Sequence, residues 1–81
     1  MKPEEALQII EETERDYKQK QHILRGLQIL AKYDDDLRLS FEHDQMWVCD
    51  FNETVTLMTK EDVAELARYG WFESQDSWSH F

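Results

Sequence analysis

Glu42-His43-Asp44 sets a histidine between two carboxylates, and Trp47 and the chain's one cysteine, Cys49, come close behind. Carboxylates beside an imidazole favour its charged form, so these residue types suit general acid chemistry, metal binding or a pH-sensitive contact. The spacing works against the first two, because successive strand residues point to opposite faces and only Glu42 and Asp44 share a side. Histidines at 22, 43 and 80 show no metal-ligand spacing, and one thiol cannot build a thiolate cluster. Asp34-Asp35-Asp36 suggests a calcium loop, but the sixth and twelfth positions counted from Asp34 are Leu39 and Gln45 instead of glycine and glutamate. Cys49, beside Val48 and without a neighbouring base, reads as a small buried residue. Glycine-rich phosphate loops, nucleophile elbows and paired-histidine zinc motifs are absent from the sequence. The expectation is a protein that is not an enzyme and needs no cofactor and no metal. A small metal-dependent or acid–base enzyme centred on His43 is the competing chemical reading.

Charge is the strongest global signal. Of a net −9 at pH 7, residues 1–32 contribute nothing, with six acids against six bases; residues 33–81 carry twelve acids against Arg38, Lys60 and Arg68. Such a field repels nucleic acid, whose phosphates are held by clustered Lys and Arg, and attracts basic protein surfaces. No apolar run approaches the roughly 20 residues of a membrane span, and the N-terminus lacks the order of a secretory signal. With a lone cysteine suited to a reducing compartment, these features imply a cytoplasmic protein without a membrane partner.

The elements that must position these residues are set by pattern. Eighty-one residues make one small domain, residues 1–81, whose ten aromatics are expected mostly inside. Trp47, Trp71 and Trp78 could stack on bases or sugars, but core is the favoured reading. Apolar residues at three- and four-residue steps predict a helix over 1–32, starting at Pro3 with Glu4 and Glu5 and ending before Asp34-Asp35-Asp36. Its middle, EETERDYKQKQ, is almost wholly polar. A break near Asp16 is the alternative to one projecting helix, and the single helix is favoured because no glycine precedes Gly26. Leu37, Leu39 and Phe41 alternate with polar residues and, with Met46 to Phe51, predict a β-hairpin with those three side chains facing the core. Asn52 and Glu53 read as a turn before a short edge segment at Val55 and Leu57. Thr59 with Asp62 predicts a helix N-terminus and Gly70 its end. Trp71-Phe72 and Trp78 to Phe81 flank a polar turn, predicting a C-terminal hairpin. The class is α+β: a long N-terminal helix, a β-hairpin, a short helix and a second hairpin on a small antiparallel sheet. The strand order is open at this level.

The part from residue 27 to 81 resembles a group of small acidic proteins encoded by phages and prophages, mostly of unknown function. The matching features are Ile29-Leu30 with Tyr33-Asp34, Glu42-His43-Asp44 with Trp47-Val48, the Glu61-Asp62 cap, Leu66, Gly70-Trp71, and Trp78 to Phe81. Thr59-Lys60 departs from the group, which has a serine or threonine followed by an acid. The resemblance implies a phage accessory protein in the bacterial cytoplasm, with no activity or catalytic residues to carry over. Joined to the acidity, it leads to the expectation of an anti-CRISPR-like inhibitor, a DNA mimic that binds a basic host protein or ribonucleoprotein complex. Asp34, Asp35, Asp36, Glu42, His43, Asp44, Asp50, Glu53, Glu73 and Asp76 are the expected contact residues. A homodimeric regulatory adaptor, paired through the first helix, is the alternative.

Overall fold

Two hairpins supply the sheet. The computed structural model describes residues 1–18 and 20–81, and the first hairpin pairs β1 (Ser40–Glu42) with β2 (Gln45–Asp50). The second pairs β3 (Phe72–Ser74) with β4 (Ser77–His80), and all neighbours are antiparallel in the order β1-β2-β4-β3. Gln75 and Asp76 both take positive φ, 52° and 64°, the geometry of the tight type I′ connection whose twist matches that of paired strands. Strand alternation puts Met46 and Val48 of β2 on the same face as Trp78 and His80 of β4, and all four are buried. Among the described residues four helices complete the α+β fold: α1 (Pro3–Glu12), α2 (His22–Ala31), α3 (Phe51–Leu57) and α4 (Lys60–Arg68). α1 packs on α4 and α3, α2 on α4, and α3 against β2 and β4.

The single helix over 1–32 is therefore corrected to two helices of ten residues each. The chain leaves α1 at Thr13, which is extended and whose hydroxyl donates to the Ile9 carbonyl at 2.6 Å. Residues 14–18 have no apolar stripe to bury, and Tyr17 stays 82% exposed. Asp16 instead accepts from the Lys18 amide and donates its own amide to the Arg68 carbonyl at 2.7 Å, tying the crossing to the end of α4. Local hydrogen bonds of this type compete with helix where nothing apolar rewards continuing it. Instead of projecting, α1 lies against α4 and α3.

The turn at Asn52-Glu53 and the edge segment at Val55 and Leu57 are likewise corrected: both lie in α3. Asp50 caps that helix by accepting from the Glu53 amide at 2.8 Å, and Thr54 and Thr56 donate back to the Asp50 and Glu53 carbonyls, each at 2.7 Å. The third correction is the phase of the first strand. Leu37 and Arg38 both have positive φ, so pairing starts only at Ser40; Leu39 and Phe41 end up 46% and 69% exposed. Of the ten aromatics only Phe51, Trp71 and Trp78 are fully enclosed.

The other local expectations hold. Thr59 caps α4 by accepting from the Asp62 amide at 3.1 Å. Gly70, at φ +89°, closes it with the paired bonds of a Schellman motif, Trp71 N–H to Leu66 and Gly70 N–H to Ala67. Trp71 then enters a notch made by Gly26 and donates its indole N–H to the His22 carbonyl at 3.0 Å. Trp78 donates to Thr54 at 3.1 Å, with its ring 4.8 Å from that of Phe51. Beyond α2, Asp62 takes a hydrogen bond from the Tyr33 hydroxyl and a 2.8 Å ion pair from Lys32.

Two consequences are measurable. A Cβ on Gly26 falls 2.0 Å from the Trp71 indole nitrogen. Alanine normally gains about 1 kcal/mol over glycine in a helix, but expelling a buried ring and its hydrogen bond costs more. Urea unfolding of G26A should show a net loss of about 2 kcal/mol or more. Burial opposes ionisation of Asp62, yet the bonds from Lys32 and Tyr33 prevail and hold its carboxyl below the ordinary value. A carboxyl with a depressed folded pKa adds stability that is complete at neutral pH and is lost as pH falls through that pKa. D62N should lose about 1–2 kcal/mol at pH 7, and the two stability curves should converge below about pH 4.

Candidate functional site

The expected contact carboxylates are organised by a bulge. Val48 pairs with Trp78 and Asp50 with Ser77, which leaves Cys49 as an extra, unpaired residue in β2. Cys49 takes φ 58° and turns its thiol inward, 3.9 Å from the Leu37 carbonyl. An added residue bends its strand and re-aims the residues after it. Here Asp50 takes the place opposite Ser77 as the last residue of β2 and also caps α3, its carboxylate accepting from the Glu53 amide.

Asp34 meets these residues from the loop after α2. Its carboxylate binds Arg38 at 2.9 Å and accepts from the Asp36 amide at 3.1 Å, and Arg38 also lies 3.7 Å from Glu53. The guanidinium, hydrogen-bonded to Asp34, holds that carboxyl below its ordinary value despite the opposing effect of desolvation. Three surface depressions adjoin through shared residues. One, of about 270 Å³, is lined by Asp34, Asp36, Arg38, Glu53 and their neighbours; a second holds Arg38, Cys49, Asp50 and Ser77. The third, of about 260 Å³, continues from Ser77 to Gln75, Trp47, Ser40, Phe41 and Glu42. Asp34, Asp36, Asp50, Glu53 and Glu42 thus line one continuous strip, and among the described residues its only lining base is Arg38.

The remaining expected residues lie off this strip. Asp35 is exposed in the loop, and His43 and Asp44 form the β1–β2 tip. His43 is 89% exposed and only 3.8 Å from one Glu42 oxygen, with Asp44 giving it no ion pair. The three residues of the triplet do not converge. Glu73 accepts from the Asp76 amide at 2.9 Å in the second tip, and Asp76 accepts from Asn52 at 3.4 Å. Among the described residues no group of three His, Cys, Asp or Glu is placed to hold a metal, and no helix is long and apolar enough to cross a membrane.

Sequence reasoning missed two arrangements. Arg38 was visible only as one of three bases, and nothing local marked it as the counter-charge of Asp34 and Glu53. His22 Nδ1 and His80 Nε2 both lie 2.9 Å from the Tyr69 carbonyl, at the C-terminal end of α4. Donors there satisfy a helix-end carbonyl, so these imidazoles act in packing. Comparison with protein-family models, curated proteins and solved structures finds no match to the chain.

Burial pushes the Cys49 thiol up to about 12, which removes the thiolate at neutral pH. An aromatic disulfide reagent at pH 8 should label Cys49 at least tenfold more slowly in the folded chain than in urea, a difference read by absorbance.

Proposed function

We propose that this chain is a non-enzymatic acidic binding module that occupies a basic protein surface otherwise used by nucleic acid. The observation that supports this reading is the strip of carboxylates running from Asp34 through Asp50 and Glu53 to Glu42, in which the one guanidinium is already engaged by Asp34 and Glu53. A surface of one sign steers a partner of the opposite sign and rejects nucleic acid itself. Carboxylates held by caps and turns also cost less to order on binding than free side chains do. The isolation of His43 from Asp44 favours binding over acid–base chemistry at the hairpin tip.

The resemblance to phage and prophage accessory proteins narrows the proposal to an inhibitor of a bacterial defence or nucleic-acid-handling complex, acting in the host cytoplasm. Its partner is a basic protein or ribonucleoprotein, with the anti-CRISPR type of inhibition as the specific form.

Affinity capture from bacterial lysate tests the proposal, with bound proteins identified by mass spectrometry at low and high salt and with added duplex DNA or RNA. Screening shortens from about 10 Å at 0.1 M salt to about 3 Å at 1 M. The expected result is a basic nucleic-acid-handling protein retained at the lower salt, released at the higher and displaced by nucleic acid. A partner held equally at both ionic strengths and indifferent to nucleic acid contradicts the proposal.

A further inference from the structure

Strand alternation puts Trp47 on the sheet face opposite Met46, Val48 and Trp78. The register sets Ser40 of β1 on one side of it and Ser79 of β4 on the other, and by the same alternation Glu42 and Ser77 share this face. A hollow of about 260 Å³ joins Trp47 to Ser40, Glu42, Ser77 and the turn residue Gln75. Phe41 also borders it, but Phe41 stands opposite Met46 and turns its ring to the other face, so Trp47 supplies the one ring. The volume is below the roughly 300–1,000 Å³ of sites for drug-sized ligands and suits a single ring.

The hydrogen bonds left unmade on this face define what it takes. Among the described residues two buried polar side-chain atoms lack a partner, the Trp47 indole nitrogen and the Ser79 hydroxyl, and these residues pair directly across β2 and β4. Unpaired groups of this kind are disfavoured and call for a partner. The indole nitrogen only donates, whereas a hydroxyl both donates and accepts. One incoming hydroxyl therefore satisfies both. Around the hollow, the side chains of Ser40, Gln75 and Ser77 make no hydrogen bond among the described residues, and Glu42 has only its 3.8 Å contact to His43. Charge narrows the class further. An anion meets Glu42 and a net charge of −9, and a cationic head offers no acceptor to the indole N–H.

We propose that this face binds a neutral pyranose, one unit of a saccharide, with its C–H face on the Trp47 ring. Aromatic faces are electron-rich and attract such C–H groups. Glu42 accepts from the sugar hydroxyls, Ser40, Gln75 and Ser77 exchange hydrogen bonds with them, and one hydroxyl at the ring edge serves Trp47 and Ser79. Those two atoms are sheltered in the free chain, so binding includes a tilt of the half-buried indole. A nucleobase also stacks, but in nucleic acid it brings phosphates that the acidic field rejects. The site is separate from the basic-partner reading and does not rest on it.

The test is an NMR titration of the isotope-labelled full chain with the methyl pyranosides of glucose, galactose, mannose and N-acetylglucosamine. Glycerol, which has hydroxyls but no ring face, and 1-methylcytosine, which has a ring but no hydroxyls, are the controls. At least one pyranoside should move the Trp47 indole signal and the Ser40, Ser77 and Ser79 amides along a saturating curve, with a Kd of about 10 mM or tighter. Glycerol should leave them in place. W47F keeps a ring and removes the N–H, and E42A removes an exposed acceptor without touching the core; each should weaken that pyranoside by about threefold or more. No pyranoside shift at Trp47, an equal response to glycerol, tighter binding of 1-methylcytosine, or unchanged affinity in both variants overturns the assignment. Each of those results leaves the basic-partner reading standing, since salt-dependent capture tests it separately.

Discussion

The extra residue at Cys49 is the constraint on which the rest of the surface depends. Without it Cys49 would stand opposite Ser77 and Asp50 would fall one place further along, past the last paired residue of β4. With it the thiol turns into the core and Asp50 ends the strand as the cap of α3. Left-handed backbone at a residue other than glycine costs about 1–2 kcal/mol. Burial of the thiol and the cap at Asp50 offset that cost, so the bend is held from both sides. One backbone irregularity thereby joins sheet, helix and acidic strip.

The two halves of the molecule divide the work. Trp71 in the Gly26 notch, Trp78 on Thr54 and the Asp62 group fasten the helices to one another and to the buried sheet face. Two of these ties reach the acidic strip, since Tyr33 and Thr54 line the same depression as Asp34 and Glu53. The side bearing β1, the loop at Asp34 to Arg38 and the start of α3 carries charge and half-buried aromatics instead. A rigid helical side behind a charged, grooved side is the arrangement expected of a binding module, because preorganised side chains lose little entropy when a partner arrives.

Much of this was legible where the signal is local. The Thr59 cap, the Gly70 terminus and the polar turn between Phe72 and Trp78 each rest on a few neighbouring residues, and each appears as expected. The misreadings share a different cause. The stretch from Phe51 to Leu57 is rich in β-branched residues, and only the cap at Asp50 and the back-bonding threonines make it a helix. The polar run after Glu12 has no breaker, yet it lacks the apolar stripe that would reward helix, and a long-range bond from Asp16 to Arg68 settles its path. Alternation from Leu37 to Phe41 was real in sequence but was cancelled by two left-handed residues. The acidic excess was visible by counting; its gathering around Arg38 was not, because Asp34, Asp50 and Glu53 meet only through the bulge and the α3 cap. His43, the most chemical-looking residue in the chain, is held apart by the geometry of a hairpin tip.

The central claim is that the acidic strip takes the place of nucleic acid on its partner. The most direct measurement is fluorescence anisotropy of labelled nucleic acid bound to the captured partner as this protein is added. Anisotropy should fall to the value of the free nucleic acid as the protein saturates the partner. A stable ternary complex, with the labelled strand still bound at saturation, would contradict the claim.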